Sequence, residues 1–334
     1  MMVACWSVPL AVGQDIRTEL QQKFGGESLL WFSESNDVAT RWLPPETIQE
    51  VGIVLDWNAQ EVVLLRPEAK QVSRIPGDNV VRVEPFWADP AAEAFFSLYR
   101  KQQFKNAVTK GAEVDKLPTL PVWQKRLVRA LLIDACSSLG NHRLAGRLFA
   151  ETLAKDKTPQ LLLSVIPLPW GNEVGDSETG SMQALAEDWL ISDHEPTRLL
   201  GASWMLSGAK RSLALQTLES LSKESKVPMI ASYARTQLWR VVPPAEILSE
   251  RFPGWIAERD RMFVPLQAGP TTLLATRLAQ AGQASLALSE WLRIATLHSE
   301  RYHLSRHANN QAAEALRKMG RTTEADAVEA LLAH

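Results

Sequence analysis

Apolar and polar positions follow two rhythms along this chain. From 28 to 86 they come in short β-rich runs broken by turn residues. Ser28 to Phe32 and Val38 to Leu43 flank the polar turn Ser35-Asn36-Asp37. Val51, Ile53, Leu55 and Trp57 then alternate with Gly52, Val54 and Asp56. After Asn58-Ala59-Gln60 comes Glu61 to Leu65, stopped by Pro67. Gln71 to Ile75 follows, then the turn Pro76-Gly77-Asp78-Asn79, then Val80 to Val83. Runs of this length with turn signals between them predict a small sheet or barrel.

The rhythm changes at Asp89-Pro90. Asp suits a helix N-cap and Pro the first helical position, so a helix is predicted to start there. Between Pro196 and Val242 the pattern predicts three consecutive amphipathic helices. One lies around Arg198 to Leu206 and one over Leu213 to Leu221. The third opens at Pro228, with Ile230, Ala234, Leu238 and Val241 on one face. Helices this short gain most of their stability by packing that face on neighbours. A second spacing recurs outside this stretch. Gly140 is followed by Ala145 and Phe149, and Gly282 by Ala287 and Trp291. Gly320 is followed by Ala325, with Val328 one place short of the expected large residue. Gln102, with Ala107 and Gly111, reads as a degenerate version. Upstream stand Leu132, Ile133 and Cys136, then Leu274, Ala275 and Leu278, then Ala312, Ala313 and Leu316.

These units resemble the tetratricopeptide repeat, a helix–turn–helix of about 34 residues. Glycine ends the first helix, a small alanine lets the second approach, and a large residue one turn on fills the gap. The aromatic expected early in the first helix is missing, and Gly282 and Gly320 stand 38 residues apart. Pro196 to Val242 is more similar to a HEAT-type pair or triplet. The resemblance implies an irregular α-solenoid over 89–334 with a concave groove and a general role in binding proteins or peptides. The four later strands of the β-rich region, 28–87, resemble SH3-like or Sm-like barrels through their rhythm alone. The expected fold class is therefore mainly α, a solenoid behind a small N-terminal β-domain.

A long connection is expected at 166–181: Ile166 to Trp170 is extended by two prolines, and Gly171 to Ser181 is polar and Gly-rich. Pro243-Pro244 stops a helix, and Ala245 to Met262 is expected to form one or two short helices.

At the N-terminus, Val3 to Val12 is apolar apart from Ser7, and Ala11-Val12-Gly13 has the small-x-small shape of a signal-peptidase site. A signal segment over 1–13 and an extracytoplasmic location are expected. A frayed apolar terminus on a cytoplasmic chain is the other reading, since no basic region precedes the segment. No later run has the length of a membrane span. The two cysteines are Cys5 and Cys136. Removal of the N-terminal segment would leave Cys136 without an internal partner, a small buried hydrophobe. A net charge of −2 argues against a nucleic-acid partner. Lys101, Lys105, Lys110, Lys116, Lys125, Arg126 and Arg129 are expected on solvated helix faces.

Three groups of residues offer chemistry. Gly175-Asp176-Ser177 has the triplet shape of some serine-hydrolase nucleophiles, without the base and oxyanion partners such a serine needs. His298, His303 and His307 lie near Glu300 and Glu290. A helix running through Glu300 would put Glu300, His303 and His307 on one face, where a transition metal could bind. A wet helix face is the plainer reading. The 12 tryptophans are expected mostly in helix seams. Trp170 and Trp255 adjoin Pro and Gly and are expected to form a partner-contact surface. No phosphate-cradling or dinucleotide glycine pattern occurs, and no cofactor is expected. The function expected is a protein-interaction scaffold. The alternatives are an enzyme with its site near 166–181 or His303 and His307, and a carbohydrate-binding module using exposed tryptophans.

Overall fold

A computed structural model of the chain describes residues 24, 26–32, 47–58, 60–66, 71–87, 89–155, 160–171, 176–247, 251–299 and 301–330. The segment 1–13, the strand expected at 38–43 with its turn, and Pro67 lie outside them. The chain divides into two compact units at Ile166/Pro167.

The first unit begins with an antiparallel sheet of β1 (Ser28–Phe32), β2 (Ile48–Trp57), β3 (Glu61–Arg66), β4 (Gln71–Pro76) and β5 (Val80–Glu84), in the order β4-β3-β2-β1-β5. β2 changes partner in mid-strand. Ile48 to Gly52 pairs with β1, and Ile53 to Trp57 pairs with β3. At the changeover a Cβ on Gly52 would lie 2.6 Å from the Leu65 carbonyl oxygen, so only glycine fits. Leu30, Ile53, Val54, Val62, Leu64 and Ile75 form the core. The alternating face expected along β2 is not kept. Val51 is 56% exposed, while Ile53 and Val54 are both buried. Val51 lies in the half paired with β1 and Ile53 and Val54 in the half paired with β3, and beyond them a bulge follows: Val54 pairs with Leu64 and Asp56 with Val63, leaving Leu55 unpaired. One extra residue resets the two-residue phase, and Trp57 returns to the core. Asn58 holds the β2–β3 turn, its Oδ1 accepting the N–H groups of Gln60 and Glu61. A 3₁₀ turn, Gly77–Asn79, joins β4 to β5.

Five helices follow in this unit: α1 (Pro90–Arg100), α2 (Phe104–Val114), α3 (Val122–Ser138), α4 (His142–Lys155) and α5 (Gln160–Ser164). Asp89 caps α1 by accepting the Ala91 N–H at 2.8 Å, with Pro90 behind it, as expected. The sheet is joined to α3 by polar bonds. Gln124 Nε2 donates to the Phe86 carbonyl, and Arg126 Nη1 donates to the Trp57 carbonyl and lies 3.2 Å from Asp56. Arg129 pairs with Asp115 and Lys110 with Glu113, so these members of the basic cluster are tied to neighbours.

The second unit holds α6 (Asp176–Leu190), α7 (Glu195–Met205), α8 (Arg211–Glu224), α9 (Pro228–Leu238), a 3₁₀ turn Trp239–Val241, α10 (Phe252–Asp260), α11 (Ala268–Gln280), α12 (Ala284–Leu297), α13 (Tyr302–Lys318) and α14 (Thr322–Ala330). Among them are the three helices expected between Pro196 and Val242. Leu199, Leu200, Ala214, Leu218, Leu221, Ile230 and Ala234 point inward. The expected long connection is shorter than the composition suggested, because α6 starts at Asp176. No helix among the described residues is long and apolar enough to cross a membrane.

One turn recurs four times, after α1, α3, α11 and α13. Gln102, Gly140, Gly282 and Gly320 all have left-handed φ, at 56°, 75°, 76° and 76°. In each, the next residue's N–H reaches back to a carbonyl five positions earlier: Gln103 to Leu98, Asn141 to Cys136, Gln283 to Leu278, Arg321 to Leu316. Each left-handed residue also donates to the carbonyl three before it, completing a Schellman cap. The buried alanines Ala107, Ala145, Ala287 and Ala325 then close the first turn of the following helix. The degenerate unit at Gln102 therefore folds like the three with glycine. At the position of the large residue it carries Gly111, where a Cβ would meet Leu132 and Phe95 at 2.5 and 2.7 Å. Each hairpin's helices pack on one another, and first helices touch across hairpins, α1 with α3 and α11 with α13.

Candidate functional site

A buried concentration of charge lies where α10 meets α12. α10 ends on Arg259 and Asp260. α12 carries Glu290 and Arg293 and ends at Leu297, capped by His298, whose N–H donates to the Ile294 carbonyl at 3.0 Å. Arg259 is only 1% exposed. Its Nη1 donates to Glu290 and its Nε to Asp260 at 2.8 Å, so one guanidinium bridges two carboxylates. Arg293 Nη2 lies 3.5 Å from Asp260. Burial pushes the Glu290 carboxyl up, and Arg259 and Arg293 pull it back. Desolvated pairs of this kind persist only when well hydrogen-bonded. Glu290 shares its helix face with Ala287, Trp291 and Ile294, which are buried. A carboxylate at that spacing inside an apolar face was the one trace of this cluster in the sequence. Its partners come from α10, which no local pattern connects to α12.

His298 is 0% exposed, and neither ring nitrogen has a hydrogen-bond partner. Burial first, then the positive charges of Arg293, Arg301 and Arg259, hold its pKa down to about 3. The ring is neutral across the physiological range.

The metal face expected on a helix through Glu300 rests on a residue outside the described ones. α12 ends at Leu297 and α13 begins at Tyr302, with His298 in the break between them, while Glu300 lies outside the described residues. His303 and His307 stand one turn apart on α13, and His307 lies edge-on to Trp291 at 5.4 Å. Among the described residues no group of three His, Cys, Asp or Glu side chains is placed to hold a metal ion. Ser177 falls in the first turn of α6 rather than in a strand-to-helix elbow, and Gly175 lies outside the described residues.

Trp170 and Trp255 do not form the exposed contact surface expected of them. Trp170 is 5% exposed, set edge-on to Tyr233 with ring centroids 5.3 Å apart. It presses on α11 so closely that a Cβ on Gly269 would lie 2.2 Å from the indole. Trp255 is 8% exposed and stacks on Trp239 at 4.8 Å. Proline and glycine next to a tryptophan marked close packing here, not exposure. The extended residues Pro167 to Trp170 are themselves buried, and Trp204 Nε1 donates to the Pro167 carbonyl at 3.0 Å. Nine tryptophans are buried in all, so the described residues do not supply the exposed, coplanar rings a carbohydrate-binding module requires.

A smaller polar cleft of about 60 Å³ opens in the first unit, lined by Asp115, Arg129, Leu132, Leu148, Glu151, Thr152 and Lys155. Its charges are mixed, and Arg129 is held by Asp115 at 2.7 Å. Compared with protein-family models, with curated proteins and with solved structures, the chain finds no match.

Proposed function

We propose that this protein is a non-enzymatic scaffold or adaptor that binds a protein or peptide partner through an α-solenoid of irregular tetratricopeptide-like and HEAT-like hairpins. The observation that carries this reading is the four-fold recurrence of one Schellman-capped turn with a buried alanine five residues on. Repeated hairpins whose first helices touch are how solenoids extend, each unit burying its neighbour's apolar face. The strand order β4-β3-β2-β1-β5, with a 3₁₀ turn before β5, supports an SH3-like or Sm-like reading of the sheet. Such a domain can dock one partner while the helices hold another. The side chains of the α10–α12 cluster are tied to one another, which fits a structural role better than acid–base catalysis. The apolar stretch Val3 to Val12 supports an extracytoplasmic location.

Crosslinking in the native cells, followed by capture of the full chain and fractionation, tests both parts. One or two stoichiometric proteins from the envelope fraction, crosslinked to helices within 89–330, are expected. A monomer recovered from cytosol without partners would refute the adaptor role and the location together.

A further inference from the structure

A second pair of arginines in the same unit differs from the α10–α12 cluster in forming no ion pair with a carboxylate among the described residues. Arg240 sits in the 3₁₀ turn after α9, and Arg277 sits on α11, against which that turn packs. Arg240 uses one nitrogen only: Nη1 donates to the Ser203 carbonyl at 2.7 Å and to Gln237 Oε1 at 3.1 Å. Arg277 Nη1 donates to Gln280 Oε1 at 2.6 Å. Neither arginine forms an ion pair with any described residue, whereas Arg259 and Arg235, buried or half-buried nearby in the sequence, each hold a carboxylate. Among the described residues both Arg240 and Arg277 therefore keep the Nε–Nη2 edge, the one that grips a planar or tetrahedral oxyanion with two parallel bonds, free of acceptors.

Two buried donors point to something that belongs beside them. Arg277 Nε is shielded from solvent with no partner, and so is Nε2 of Gln237, a residue 0% exposed. Gln237 is fixed by its Oε1 bond to Arg240, so its unpaired N–H groups are held in place rather than free to turn to water. The turn that carries Arg240 packs on the helix that carries Arg277. Burial, and then Arg277, bring the Arg240 pKa down to about 10. Like charges with no ion-pair partner among the described residues, next to unsatisfied donors, leave an electrostatic deficit that an anion removes.

We propose that Arg240 and Arg277, with Gln237 Nε2 as a further donor, bind a phosphoryl dianion at the junction of the Trp239–Val241 turn and α11. The charge selects the class. A phosphate monoester carries about −1.5 to −2 near neutral pH and three acceptor oxygens, enough for two guanidinium edges and an amide. A carboxylate would leave one cation uncompensated. The phosphoryl group has two possible sources, a phosphorylated side chain on a bound peptide or a free phosphate ester. The site stands apart from the scaffold reading, since it can be found or lost whichever partner the helices hold.

The test uses the full chain at pH 8 with sodium phosphate against sodium chloride of equal ionic strength. Binding is read by calorimetry and by the thermal unfolding midpoint. Phosphate is expected to bind and to raise the midpoint. Arg277→Gln is expected to weaken binding at least about tenfold, because a charged hydrogen-bonded fork is removed. Arg277→Lys, which keeps the charge without the fork, should fall between. Arg211→Gln, at the exposed start of α8, should bind as the unaltered chain does. Arg240→Gln also loses its bond to the Ser203 carbonyl, so for that variant affinity and not stability is the readout. A phosphoserine peptide binding more tightly than inorganic phosphate would place the group on a modified partner, and equal binding would place it on a free ester. No phosphate-specific effect in the unaltered chain, or an Arg277→Gln protein that binds phosphate equally well, would overturn the proposal.

Discussion

Replacing His298 with leucine should remove a specific part of the protein's acid sensitivity. The imidazole is fully buried, its two nitrogens lack partners, and its pKa is held down to about 3 against an ordinary 6.5. Below pH 6.5 the unfolded chain takes up a proton at this histidine and the folded chain does not. The folded state therefore loses ground as pH falls, from about 6.5 down to about 3, and the stabilising contribution is fully present above 6.5. At about 1.4 kcal/mol per pH unit, the gap opened between pH 6.5 and 4.5 is about 3 kcal/mol. The groups facing the ring are Arg259, Arg293 and Arg301, all cationic. Glu290, whose carboxyl is raised, has the opposite sign, losing stability as pH rises above its ordinary value. That term is common to both proteins and cancels in a difference. Urea unfolding of the unaltered chain and of His298→Leu at pH 7.5 and 4.5, followed by tryptophan fluorescence, gives the double difference. At pH 7.5 the variant should be as stable or slightly more so, because two unpaired buried polar atoms leave with the ring. At pH 4.5 it should have gained about 3 kcal/mol on the unaltered chain. Identical pH dependence in the two proteins would refute the reasoning, since it would mean that His298 titrates in the fold as it does in the unfolded chain.

Glu290→Ala should destabilise the second unit by about 3–5 kcal/mol, because Arg259 would be left buried with its main partner gone; a urea midpoint within error of the unaltered chain's would contradict this. Gly269→Ala puts a methyl 2.2 Å from the Trp170 indole and should cost about 1–3 kcal/mol, with altered tryptophan emission as a second readout. Gln102→Gly should stabilise by about 0.5–1 kcal/mol in thermal unfolding, since a side chain is relieved of a left-handed φ of 56°. Gly140→Ala should do the reverse by a similar amount, although nothing lies within 4 Å of its Cβ, because the cost there is backbone strain alone.

Local signals carried most of the secondary structure. Turn residues and alternation placed β3, β4 and β5, and Asp89-Pro90 placed the start of α1 to the residue, because a cap is a contact within three positions. The Gly and Ala spacing located four hairpin turns for a similar reason. A left-handed residue, a carbonyl five back and an alanine five on all lie within about ten residues of sequence. Even Gln102, where the glycine is missing, was legible from the alanine that follows it.

What the tertiary structure decided was decided by partners distant in the chain. Val51 is exposed in the half of β2 that pairs with β1 and Ile53 is buried in the half that pairs with β3, a change of partner that simple alternation does not carry. Trp170 and Trp255 looked like surface residues by their neighbours in sequence. They are buried because Tyr233, Gly269 and Trp239 come to meet them. The three histidines looked like one group by proximity along the chain, and a helix break at His298 divides them. Arg259 with Glu290, and Arg240 beside Arg277, could not be paired from sequence, because charge burial depends on which helices pack together. Periodicity reports which face of a helix turns inward. It does not report what waits on the other side.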